Sequence, residues 1–134
     1  MRIEVGTKET ATAIVDETNI ASAVGSGLLP VFATPSMVAL MEKAACACLD
    51  AEVGDGQTSV GTRIDIEHIA ASPVGANITA MATVTAIDGR LREFEVVAFE
   101  GEKQIGKGIH TRVIVNSEKF LSKLKSANKS HGLK

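Results

Sequence analysis

Apolar and polar positions alternate along most of this chain and switch to a helical period once. Lys8 to Val15 reads as a strand, with Ala11, Ala13 and Val15 interleaved with Thr10, Thr12 and Ile14. Asn19 to Ala33 reads as a loop rich in Ala, Gly and Ser that ends in Leu28-Leu29-Pro30-Val31-Phe32. Apolar residues in so long a connection point to a cover over something rather than a solvated link. A long helix is predicted over Pro35 to Ala51, with Thr34 as its N-cap and Pro35 at its first position. Its body, Met37 to Leu49, is apolar almost all round, which predicts burial. Gly54-Asp55-Gly56 ends it. Strands follow over Thr58 to Ala70, Asn77 to Ile87, Leu91 to Glu100 and Gln104 to Val115. Ser72-Pro73-Val74-Gly75, Asp88-Gly89 and Gly101-Glu102 turn the chain between them. Ser117 caps a short helix carrying Phe120, Leu121 and Leu124, and the Lys-, Ser- and Asn-rich tail from Ser126 is expected to fray.

Strand, buried helix, four antiparallel strands and short helix pack most simply as one sheet of about five strands wrapped around the helix. This is an α+β chain with the hot-dog layout. Residues 1–120 are expected to form the single domain, and 121–134 the helix end and a flexible basic tail. One such sheet leaves an edge open, and 134 residues supply a modest core, so a homodimer is expected. The net charge of -2 argues against a general nucleic-acid binder, and the absence of Trp and Tyr leaves little to stack on bases. No apolar run approaches the roughly 20 residues of a membrane span. Met1-Arg2-Ile3-Glu4 lacks a signal-peptide core, so a cytoplasmic protein without membrane partners is expected. Cys46 and Cys48 are about 200° apart on a helix, so they read as small packing residues, not as metal ligands.

Four features carry candidate chemistry. Glu42 lies mid-helix among apolar residues, and a carboxylate in such a place needs a partner or a purpose. The bland alternative is a narrow polar stripe with Lys43. His68 shares a strand face with Ile64, Ile66 and Ala70, opposite Arg63, Asp65 and Glu67, and so looks at the helix that bears Glu42. It is either a core histidine on a backbone carbonyl or an imidazole oriented by that carboxylate. Thr34, beyond capping, stands where free helix N–H groups suit an oxyanion. Gly106, Gly108, His110 and Arg112 share one strand face. The glycines permit close approach, and Arg112 can pair with a carboxylate or a phosphate. No strand-to-helix turn follows, which rules out a phosphate loop. The C-terminal lysines, from Lys119 to Lys134, read as a solvated face; holding an acidic cofactor is the lesser alternative.

At these residues the sequence resembles hot-dog thioesterases of the fluoroacetyl-CoA thioesterase type. The similarity runs from about Val5 to Phe120 and is carried by Val31-Phe32-Ala33-Thr34, Met37 to Glu42, Ser59 to His68, Ala71 to Gly75 and Gly106 to Arg112. The resemblance implies a catalytic Thr, Glu and His at Thr34, Glu42 and His68. It implies a carbonyl-holding glycine at Gly61 and an arginine near the site at Arg112. It implies CoA thioester hydrolysis in a homodimer with no metal. The family's aromatic lid has no counterpart in Gly25-Ser26-Gly27-Leu28. An apolar pocket of Leu28, Phe32, Met37 and Met41 is therefore expected to take a short or medium acyl group with weak discrimination of fluoroacetyl from acetyl. CoA enters as part of the substrate, and no separate cofactor is expected. His68 would activate water or the Thr34 hydroxyl, with Glu42 orienting it or attacking directly. A non-catalytic hot-dog dimer binding an acyl-CoA or small effector is the alternative, and retention of all three residues speaks against it. A hydratase would need an Asp and His pair that the sequence lacks.

Overall fold

The computed structural model describes residues 3–130. Strand β1 (Lys8–Ile14) leads through a one-turn helix α1 (Ala21–Val24) into the long helix α2 (Thr34–Leu49). Strands β2 (Gln57–His68), β3 (Asn77–Asp88), β4 (Leu91–Glu100) and β5 (Lys103–Asn116) follow, then helix α3 (Ser117–Ser130). The five strands form one antiparallel sheet in the order β1-β3-β4-β5-β2. β1 and β2 are its edges, and α2 crosses from one to the other over the inner face. The core lies between them: Met37, Met41, Ala44, Ala45 and Leu49 of α2 against Ile78, Ala80, Ala82, Phe94, Val96 and Ala98. Alternation along β3 and β4 puts these strand residues on the helix side.

The hot-dog layout predicted from element order is the one observed. Several local expectations change. α2 is buried along one stripe and not all round: Ala39 and Lys43 face solvent. Its outer side is apolar only because its residues are small, and small residues do not demand burial. The stretch read as loop holds α1, closed by Gly25 in the left-handed region, and is tied down by bridges Ile20–Phe32 and Val31–Pro73. These ties bury Phe32 in the core, while Leu28 is 93% and Leu29 65% exposed. α3 continues through Ser126 to Ser130, where fraying was expected. No Gly or Pro interrupts it before Gly132, and its Lys, Leu and Ala residues are good helix formers. Residues 131–134 of the expected tail lie outside the described residues.

The strand glycines have specific neighbours. A Cβ on Gly106 would run into the Met37 sulfur and, 2.6 Å away, its terminal methyl. One on Gly108 would run into the Asp65 carbonyl oxygen. What approaches closely is therefore α2 and β2, not a ligand. At the far end of the sheet, Arg92 forks onto Glu52 with bonds of 2.9 and 2.8 Å and caps the carbonyls of Gly89 and Leu91. This nearly buried pair locks the β3–β4 turn to the segment after α2.

Candidate active site

Two polar clusters sit along the seam between α2 and β2. The first is at the start of α2. The N-cap is Ala33, so Thr34 is the first helical residue and its hydroxyl makes no capping bond. The hydroxyl instead lies 2.8 Å from Nδ1 of His68. The expected capping role is replaced by a side-chain bond because the helix begins one residue earlier. Nε2 of His68 is buried with no hydrogen-bond partner among the described residues. Burial pushes the His68 imidazole below its ordinary pKa, with the Ala70 backbone opposing. At neutral pH the ring is therefore uncharged and able to take a proton from the hydroxyl. The backbone N–H groups of Thr34 and Ser36 have no intrahelical carbonyl to bond. A cavity of about 300 Å³ opens here, lined by Ala21, Ser26, Val31, Phe32, Ala33, Ala70 and Ala71 beside Thr34 and His68.

The second cluster surrounds Glu42. Its carboxylate lies 3.4 Å from Nη1 of Arg112 and 3.9 Å from Nε2 of His110. Arg112 is itself buried and gives Nε to the Ser59 hydroxyl at 2.8 Å and Nη2 to the Ser59 carbonyl at 3.1 Å. Gly61 lies directly beneath: a Cβ there would be 2.9 Å from the carboxylate oxygen and 3.3 Å from Nη1 of Arg112. Glycine is what lets the carboxylate lie flat on the strand.

A β-bulge makes both clusters face the helix. Gly61 pairs with Arg112 and Arg63 with Thr111, leaving Thr62 extra. Ser59 and Gly61 thus share an inner face with Ile64, Ile66 and His68, although the numbering changes parity. Strict alternation would have sent one group outward.

The arrangement differs from the expected one in three respects. Within one chain Glu42 meets Arg112 and His110, not His68. Thr34 and Glu42 are separated by about 12 Å of helix rise, too far for one side-chain cluster. Leu28, expected in the pocket wall, stands in solvent, and Met37 and Met41 are fully buried in the core. Gly106 draws Met37 into the sheet. Of the expected wall residues, Phe32 lines the cavity. Arg112 spends its donors on Ser59, Glu42 and His110. It fits a carboxylate anchor and not a phosphate contact. Sequence reasoning placed His110 on the right face but gave it no role. The signal was its alternation with Arg112 in a strand otherwise cleared by glycines. Cys48 is buried, its thiol pushed up to about 11 by burial, in keeping with packing.

Burial also lowers the His110 pKa, against the Arg63 carbonyl. Both imidazoles therefore refuse protons that the unfolded chain accepts below about pH 6.5. In that window the unfolded state binds more protons, so stability falls as pH falls. Urea midpoints should drop between pH 7.5 and 5.5, and His110→Gln should flatten the slope. A wild-type midpoint independent of pH over that interval would contradict the assignment.

Similarity to known proteins identifies the family and the fold. The model of the family described as fluoroacetyl-CoA-specific thioesterase, FlK, matches residues 15–118. The fluoroacetyl-CoA thioesterase of Streptantibioticus cattleyicolor is 38% identical over 95 residues, 71% of this chain and 68% of that protein. A crystal structure of a phenylalanine-to-alanine variant of FlK superposes with a TM-score of 0.89 at 30% identity, covering 95% of this chain and 98% of that one. A Thermus thermophilus member of the thioesterase superfamily shares the fold, with a TM-score of 0.89 at 21% identity over 99% of this chain and 98% of that one. The chain belongs to the fluoroacetyl-CoA-specific thioesterase family.

Proposed function

We propose that this protein is an acyl-CoA thioesterase whose active site is assembled by two copies of the chain. The observation that carries this is the split of the catalytic group. Thr34 and His68 form one half with an unmet Nε2, and Glu42 forms the other half, about half the length of α2 away. β2 is a free edge of 12 residues, which invites antiparallel pairing with a second β2. A two-fold axis at Ile64 would set each Arg63 opposite the partner's Asp65, a favourable cross-strand charge pair. Because Thr62 is the extra residue of the bulge, it would also bring Gly61, under Glu42, alongside the partner's Ile66 and the partner's His68, which share its inner face. The carboxylate is then brought to the side of the partner's His68, whose Nε2 has no bond within its own chain among the described residues.

The reaction follows from these groups. Thr34 Oγ1 attacks the thioester carbonyl while its proton passes to Nδ1 of His68. The partner's Glu42 accepts a hydrogen bond from Nε2–H and stabilises the imidazolium. The N–H groups at the start of α2 hold the oxyanion. The C–S bond breaks, and the departing CoA thiolate takes the proton from His68. Water then cleaves the acyl-threonine ester by the same route, releasing the acid. Family membership favours this over a non-catalytic acyl-CoA binder. In FlK structures the ligands include fluoroacetate together with CoA.

A cavity of about 300 Å³ walled by Val31, Phe32 and alanines suits a short or medium uncharged acyl group. No aromatic stands in Gly25-Ser26-Gly27-Leu28, and one small group in an apolar pocket is worth only about 1–3 kcal/mol. Thiol release from a panel of acetyl-, fluoroacetyl-, butyryl-, branched and aromatic acyl-CoAs should therefore show turnover of some larger acyl-CoA above both two-carbon esters. It should show weak preference between those two. Strong selectivity for fluoroacetyl-CoA would overturn the substrate assignment, and no turnover of any ester would overturn the function.

A further inference from the structure

His110 is the most buried titratable group in the described part of the molecule that the reaction above does not use, at 1% exposure. Its two nitrogens have opposite duties. Nδ1 lies 2.7 Å from the carbonyl oxygen of Arg63, the residue just after the β2 bulge, so Nδ1 must carry the proton and donate it. Nε2 lies 3.2 Å from Nη1 of Arg112, which can only donate, so Nε2 must be the acceptor. The ring is fixed as the neutral Nδ1–H tautomer. Phe94 stacks on it with centroids 6.0 Å apart and holds its plane. The same Arg112 nitrogen bonds Glu42, and Gly61 clears the space between them, 3.2 Å from the His110 ring at its Cβ position.

We propose that His110 is a positioning residue that aims the Glu42 carboxylate through Arg112, and that its protonation withdraws that carboxylate from the partner's His68. The proposal rests on the assignment of Glu42 to the catalytic group. The charged groups facing the ring are Arg112 on its own strand and Glu42 on α2; β2 presents the Arg63 carbonyl and Gly61, and β4 presents Phe94. Adding a proton to Nε2 abolishes the acceptor that Arg112 uses and sets two cations in contact. The new Nε2–H then has one acceptor within reach, Oε2 of Glu42 at 3.9 Å. The carboxylate moves inward to it and away from the open face. Burial of the ring, with Arg112 beside it, keeps this event below the ordinary histidine range.

Kinetics and NMR test this on the full chain. In wild type the acid limb of kcat should be steeper than one proton, because His68 and His110 both must be neutral. His110→Gln supplies an acceptor that does not titrate. It should keep kcat within about threefold at pH 8 and reduce the acid limb to one proton. His110→Leu leaves Arg112 without its acceptor and should lower kcat by about a hundredfold at every pH, with KM little changed, the usual cost of a misaimed group. In wild-type protein, the ¹⁵N signals of His110 should report the Nδ1–H tautomer, and the Glu42 carboxyl ¹³C signal should move with the His110 midpoint. His110→Leu with wild-type kcat, His110→Gln with the two-proton limb intact, or a Glu42 signal indifferent to His110 would each overturn the proposal. Full turnover in Glu42→Gln would sink the catalytic assignment and this proposal together. An inactive Glu42→Gln beside silent His110 variants would sink this proposal alone.

Discussion

Glu42→Gln and His68→Ala should each lower thioester turnover by at least about a hundredfold while leaving a folded protein. Removing His68 takes away the proton acceptor 2.8 Å from the Thr34 hydroxyl, so the hydroxyl must attack unassisted. Removing the charge of Glu42 leaves the imidazolium of the transition state without its counter-ion. Glu42 is partly exposed, and Gln matches its shape, so Arg112 and Ser59 should hold their places. Thr34→Ala should cost at least as much, because it removes the attacking hydroxyl. Because the groups act as a unit, the double variant of Glu42 and His68 should be little worse than either single one. Single-turnover rates on a good acyl-CoA substrate, beside circular dichroism of each variant, decide this. Folded variants with wild-type turnover would return the protein to the binding-module alternative.

The fold was legible because its strongest signals are local. β3 and β4 alternate, Gly89 and Gly101 supply the left-handed residues that their turns need, and α2 has a Pro at its start. The candidate site was legible in its members and not in their partners. His68 and Glu42 were rightly placed on facing surfaces, yet the seam between helix and strand is longer than one site. Periodicity specifies which way a side chain points but not how far along the seam it lies. The bulge at Thr62 was hidden for a related reason. Gly61 reads as out of phase with Ile64, and only the ladder with β5 shows that one residue is skipped. Thr34 was one position off as a cap because Ala33 carries no capping signal, while Thr suits both the cap and the first turn. The Arg92–Glu52 pair joins residues 40 apart, which no local pattern reveals.

The largest recovery of activity should come from combining two dead proteins. If Glu42 serves the partner's His68, a heterodimer of a Glu42→Gln chain with a His68→Ala chain contains one site with both groups intact and one with neither. The intact site takes its Glu42 from the His68→Ala chain and its Thr34 and His68 from the other. Two-fold symmetry makes the sites equivalent in wild type, so the heterodimer should recover about half of wild-type turnover per dimer, from parents at about one hundredth or less. Carrying the two substitutions on the same chain, paired with a wild-type chain, leaves one site without Glu42 and the other without His68, and so this second pairing should be nearly inactive. The contrast between the two heterodimers, purified through distinct tags, is the measurement that tests the shared site most directly. About half of wild-type turnover with the substitutions on opposite chains, and near-inactivity with both on one chain, is the predicted result. The reverse pattern would mean that each chain holds a complete site of its own.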